Sequence, residues 1–151
     1  MDGGTLRRLR EYHGLTQTAV AHAAGMHQSD VSAVESGRKT SIEVRKRVAR
    51  GILRATSPSR VVRMHGSAMR SYLEKEGIGR PRVFGSVARG EDRWDSDIDI
   101  VAALPSEATL IDLGRWEEGL TRIAGGIRVE LVPEGAGFAR LGTAAADAVP
   151  L

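Results

Sequence analysis

The sequence predicts an α+β chain of 151 residues: an all-α amino-terminal part, then a small α/β part with a mixed sheet and a helix layer. Three observations predict it. Up to residue 55, short apolar stretches at helical spacing are interrupted by Gly14, Gly25 and Gly37. Beyond residue 80, DIDIVAAL and IRVELV alternate apolar with polar side chains, as half-buried strands do. The charge also changes sign: residues 1–60 carry 11 Lys/Arg against 5 Asp/Glu (+6), and residues 61–151 carry 11 against 14 (−3). A basic part followed by an acidic one points to a nucleic-acid module joined to a part with another task.

In the first part, Leu6 and Leu9 mark the inner face of a short helix, with Arg7, Arg8 and Arg10 outward. Gly14 ends it. Thr16 is a candidate N-cap for a helix over 17–24, and Gly25 stops that helix. A third helix begins near Gln28 and buries Val31 and Val34. Gly37 closes it, and Thr40 with Glu43 has capping-box spacing for a fourth, whose Val44, Val48 and Ile52 form a buried stripe.

Two short helices joined across a glycine inside a basic four-helix unit describe a helix-turn-helix. The stretch LTQTAVAHAAGMHQSDVSAVESGRK resembles the phage-repressor (Cro/C1 or Xre) family over residues 5 to about 54, through Leu15-Thr16-Gln17, Gly25 and Glu35-Ser36-Gly37-Arg38. The resemblance implies that the third helix enters the major groove of operator DNA. Gln28, Ser29, Ser32 and Ala33 then face base edges, and Gln17, Arg38 and Lys39 hold the phosphate backbone. The chemistry agrees, since glutamine can bond adenine through two edges and cations give salt-sensitive affinity. His27 stands at an N-cap position, and Asp30 brings a negative charge near the DNA.

The stretch ATSPSR is the expected joint, giving domains 1–56 and 57–151. Ser57 can cap and Pro58 suits the first helical position of a helix reaching about Lys75. A strand at Arg82-Val83-Phe84 follows and runs into Gly85-Ser86. A second strand covers 97–104, a helix covers 108–123 after Ser106, and a third strand covers 127–132. One short helix is expected over 138–149. Trp116 reads as core, and Trp94 either stacks on a base or covers apolar surface. His13, His22, His27 and His65 show no metal-ligand spacing.

Alternation puts Asp97 and Asp99 on one strand face and Ile98 and Ile100 on the other. In IRVELV the apolar set is Ile127, Val129 and Leu131, so Arg128 and Glu130 point the opposite way. If these strands are neighbours, three carboxylates converge. Each pair of such charges repels by roughly 4 kcal/mol at 4 Å and intermediate dielectric, which a bound cation relieves. Ligation by oxygen alone suits Mg2+ or Mn2+ and not zinc. Gly85-Ser86, between a strand and a helix, offers backbone N–H groups and a hydroxyl to phosphates. Together these are equipment for phosphoryl or nucleotidyl transfer.

Gly85-Ser86, ten intervening residues and Asp97-Ile98-Asp99 resemble the GSx10DxD signature of the polymerase-β nucleotidyltransferase superfamily. GSVARGEDRWDSDIDI looks like its minimal nucleotidyltransferase branch, through Ala88-Arg89-Gly90 and Ser96 as well. The resemblance covers about residues 60–150. It implies that Asp97, Asp99 and Glu130 are catalytic and bind metal, and that Gly85, Ser86, Arg89 and Ser96 bind nucleotide. Glu130 stands where an aspartate is frequent, and Arg89 alternatively pairs with Glu91 or Asp92.

Minimal nucleotidyltransferases of this size resemble antitoxins paired with HEPN-type ribonuclease toxins. The expected function is transfer of AMP from ATP, with Mg2+ or Mn2+, to a tyrosine of such a toxin. The DNA-binding part would control the operon, as a homodimer or a toxin–antitoxin hetero-oligomer. The alternatives are a non-catalytic DNA-binding regulator whose second domain only binds nucleotide or toxin, and a small-molecule transferase of the aminoglycoside type. The absence of cysteine suits a reducing, cytoplasmic setting. No apolar run approaches the roughly 20 residues of a membrane span, and MDGGTLRRLR lacks a signal peptide's apolar core, so no membrane association is expected.

Overall fold

The computed structural model describes residues 1–151, the side chain at 144 excepted. The chain divides into two compact units, Met1–Ser57 and Pro58–Leu151. Among the described residues, no helix is long and apolar enough to cross a membrane.

The first unit holds α1 (Gly3–Tyr12), α2 (Gln17–Ala24), α3 (Gln28–Glu35) and α4 (Ile42–Ala55). Asp2 caps α1 and Thr16 caps α2, each side chain accepting from the backbone N–H three residues on. Gly25 ends α2 at φ 62°, a conformation costly for a residue with a Cβ, and turns the chain sharply into α3. Leu6, Leu15, Val20, Val31, Val34, Val48 and Ile52 form one apolar core.

Two expectations are corrected here. Arg10 faces inward: it is buried, and its Nε and Nη2 donate to Glu35 Oε1 and Oε2 at 2.6 and 2.9 Å. Its Nη1 donates to the Leu15 carbonyl at 2.8 Å. A bidentate partner 25 residues away makes that burial tolerable, and helical periodicity cannot see it. At α4 the N-cap is Ser41, with no side-chain cap bond, so no Thr40–Glu43 box forms. Glu43 then sits one position too early to reach back, and pairs with Lys46.

The second unit holds α5 (Pro58–Lys75), β1 (Gly79–Phe84), α6 (Gly85–Arg89), β2 (Ile98–Ala103), α7 (Leu110–Ile123) and β3 (Val129–Pro133). After these come α8 (Ala136–Ala139), α9 (Thr143–Ala146) and β4 (Val149–Pro150). The sheet is mixed, in the order β3-β2-β1-β4, with β2 and β3 parallel and the other pairs antiparallel. Ile98, Ile100, Ala102, Val129 and Leu131 share the main core with Met69 and Leu73 of α5 and Trp116 and Leu120 of α7. On the opposite face a smaller cluster gathers Phe84, Val101 and Phe138. The outward N–H groups of edge strand β3 are taken by α7: Val129 donates to Thr121 Oγ1 and Leu131 to Glu117 Oε1. That leaves fewer free donors for edge-to-edge pairing.

Helix α7 starts at Leu110, later than expected, because Thr109 and Asp112 make the capping box. The Ser106 hydroxyl donates to Glu107 instead. The carboxyl-terminal stretch is not one helix. Gly142 (φ 59°) divides it into α8 and α9, and two residues then join β1 as a fourth strand.

Candidate active site

Register assembles the acidic side chains. In the parallel ladder, Asp99 lies level with Glu130, and Ile98 with Val129. Ile98, Ile100 and Val129, Leu131 go to the core, so Asp99 and Glu130 project together from the other face. Asp97, one residue ahead of β2, belongs to the same face as Asp99 by alternation. The side chains of Asp97 and Glu130 are about 38% and 41% exposed, open to a ligand.

On its other side β2 pairs with β1, and Phe84 lies level with Asp99. The chain therefore turns at Gly85 beside the carboxylate. Gly85 has φ 73°, and a Cβ there would lie 2.7 Å from Asp99 Oδ2. Both the backbone conformation and the space demand glycine. Gly85 opens the five-residue α6 and Ser86 follows it; the helix end is fixed by Gly90 at φ 68° and by Glu91 N–H donating to the Ser86 carbonyl at 2.9 Å.

Burial, then the charges of Glu130 and Asp97, push the Asp99 carboxyl above its usual range. Among the described residues, no three His, Cys, Asp or Glu side chains are grouped so as to hold a metal ion. Instead a cation of the protein stands between two of the acids. Arg128 Nη2 is 2.8 Å from Glu130 Oε1, and Nη1 is 3.9 Å from Asp97 Oδ2. Sequence reading assigned Arg128 no role, although its place two residues before Glu130 puts it on the same strand face.

The loop between α6 and β2 is tied down at both ends. Asp92 Oδ2 accepts from Ser59 N–H at the start of α5, at 2.9 Å. Ser96 Oγ accepts from Arg93 N–H at 2.9 Å, closing the turn before Asp97. Arg89 donates to Glu91 Oε2 at 2.8 Å and lies 3.9 Å from Asp147. Of the candidate nucleotide-binding residues, Ser96 and Arg89 thus hold the loop and its flank, whereas Gly85 adjoins Asp99 and Ser86 follows it in α6. Trp94 is half-exposed in this loop, and Trp116 is core, its Nε1 donating to Glu76.

In the helical unit, Gln28 and Ser29 are exposed at the start of α3, and Ser32 and Ala33 are half-buried one turn on. Gln28 Nε2 donates to Gln17 Oε1 at 2.6 Å, and Gln17 Nε2 to Glu35 Oε2 at 2.8 Å. The buried Arg10–Glu35 pair thereby orients both glutamines. Lys39 pairs with Asp30 and offsets its negative charge, while exposed Arg38 donates to Ser36 Oγ.

Comparison with known proteins agrees with both units. Residues 3–64 match the family described as "Helix-turn-helix domain" and residues 67–136 the family described as "Nucleotidyltransferase domain". A relative from Methanocaldococcus jannaschii, named a "putative protein adenylyltransferase", is 40% identical over 53 residues, 35% of this chain. The chain spans 57% of that relative's length. A solved structure, described as that of a "putative minimal nucleotidyltransferase", superposes with a TM-score of 0.52 at 34% identity. The match covers 62% of this chain and 95% of that one. The chain therefore belongs to the minimal nucleotidyltransferases and carries a DNA-binding helix-turn-helix domain at its amino terminus.

Proposed function

We propose that this nucleotidyltransferase moves AMP from ATP to a protein acceptor, a tyrosine of a cognate HEPN-type ribonuclease toxin, and binds operator DNA to control its own expression. The register of Asp99 with Glu130, beside the Gly85 turn, carries the reading. The name of the M. jannaschii relative supports a protein as acceptor. On this reading the protein acts in the cytoplasm, as a dimer on half-sites about one helical turn apart or as a complex with its toxin.

Asp97, Asp99 and Glu130 would hold Mg2+ or Mn2+: all donors are oxygen, and Asp99 and Glu130 lie level on one sheet face. Bound there, the ion supplies positive charge to the triphosphate and the attacking oxygen. Gly85, lacking a side chain, lets phosphate approach the backbone, and the Ser86 hydroxyl donates to a phosphate oxygen. Glu130 accepts the proton of the acceptor hydroxyl. That oxygen bonds to the α-phosphorus, the bond from the α-phosphorus to the bridging oxygen breaks, and pyrophosphate leaves.

Incubation with α-labelled ATP, Mg2+ and the neighbouring gene's product tests this. Label on a tyrosine of that product, absent in Asp97→Asn/Asp99→Asn, is the expected result. Nucleotide binding without transfer to any protein would establish a regulator instead, and label on an aminoglycoside would establish a small-molecule transferase.

A further inference from the structure

The carboxylate face carries a fourth charged side chain that the transfer chemistry leaves unused. Arg128 lies one residue ahead of β3, as Asp97 lies one ahead of β2. The Ile98 N–H donates to the Arg128 carbonyl at 2.9 Å, and Ile98 is level with Val129. The ladder thus holds Arg128 next to Asp97, one step before the Asp99–Glu130 pair. From there one guanidinium reaches Glu130 at 2.8 Å and Asp97 at 3.9 Å.

We propose that Arg128 is a resident counter-ion of the carboxylate site, which a divalent cation must displace from Asp97 and Glu130 in order to bind. The proposal rests on the reading of these acids as metal ligands. Three acids on one sheet face repel each other, and a single guanidinium touching two of them relieves part of that repulsion. A guanidinium does not give up its proton in proteins, so only movement can withdraw this charge. Its side chain is 71% exposed, so solvent is open to it and the contacts are individually weak. A doubly charged ion in direct contact with the same oxygens outcompetes it, but against opposition. Arg128 therefore lowers the apparent metal affinity and protects the acids while the ion is away.

Mn2+ binding to the full chain, without nucleotide, tests the proposal by titration calorimetry or by the spectrum of free Mn2+. Arg128→Gln is expected to bind Mn2+ about three- to tenfold tighter than wild type, since a competing charge and its repulsion are gone. Arg128→Lys, which keeps the charge, is expected within about twofold of wild type. The gap between wild type and Arg128→Gln narrows as salt is raised, because exposed charges are screened. Unchanged or weaker binding in Arg128→Gln, with wild type binding normally, overturns the counter-ion role and leaves the ligand assignment standing. A gain shared equally by Arg128→Lys overturns it too, because charge would not be the cause. Mn2+ binding that survives Asp97→Asn/Asp99→Asn undiminished removes the ligand assignment itself, and the proposal with it.

Discussion

Asp99→Asn is expected to abolish nucleotide transfer while raising the melting temperature of the metal-free protein near neutral pH. On the proposed reading Asp99 is a ligand of an ion that supplies several kcal/mol of charge stabilisation, so activity should fall by at least about a thousandfold. The gain follows from the carboxyl's environment. Burial and the neighbouring Glu130 and Asp97 favour the protonated form in the folded state. A group raised in this way stabilises the fold below its unfolded pKa and loses that contribution as pH rises through its folded value. Asparagine resembles the protonated form at every pH. The advantage of Asp99→Asn should therefore be absent below about pH 4 and grow above it. Thermal melts across pH, without divalent ions, check this. Lower stability in Asp99→Asn at pH 7 would show that the carboxylate is already satisfied by the protein.

The helical unit is expected to respond most to Glu35. Glu35→Ala leaves the Arg10 guanidinium buried without its bidentate partner, and breaking such a pair costs about 3–5 kcal/mol. Arg10→Met with Glu35→Leu should recover most of that loss, since a buried pair can be replaced by apolar packing. Burial opposes the ionised Glu35, yet bonds from Arg10 and Gln17 and the Arg10 charge together hold its carboxyl below the usual range. A lowered carboxyl contributes stability above its unfolded pKa and loses it as pH falls through the folded value. Acidification below about pH 4.3 should thus weaken the helical unit while relieving strain among the acids of the other. Denaturant melts of the variants check the magnitudes. Glu35→Ala should also weaken operator binding, because Gln17 and Gln28 lose the anchor that orients them. A stability cost under about 1 kcal/mol would show that Arg10 finds water or another partner.

How far the sequence revealed these features depends on how local their causes are. The alternation of DIDI and ELV is a property of neighbouring residues, and it sufficed to put Asp97 and Asp99 on one face and Glu130 opposite the core set. That β2 and β3 are parallel neighbours is a matter of topology, which alternation leaves open. Arg128 was within reach of the same period-2 argument, but its reach to both acids depends on that pairing and on its rotamer. Arg10 was misread because an amphipathic pattern sends charges outward, whereas a partner 25 residues on draws this one in. The α7 start falls at Ala108, after Ser106, in the sequence because Ser106 and Thr109 both offer a cap there, and only the reciprocal Thr109–Asp112 bonds decide. Strand β4 has two residues, one of them Pro150, too few for any periodicity to register.

Crystals grown with Mn2+ and a non-hydrolysable ATP analogue, measured at the manganese absorption edge, locate both the ion and the triphosphate. An anomalous peak is expected within about 2–2.5 Å of carboxylate oxygens of Asp97 and Asp99. The triphosphate is expected along Gly85-Ser86, with Arg128 moved off Glu130. Manganese bound elsewhere, or nucleotide bound while Arg128 stays on Glu130 and no ion touches the aspartates, would contradict this arrangement.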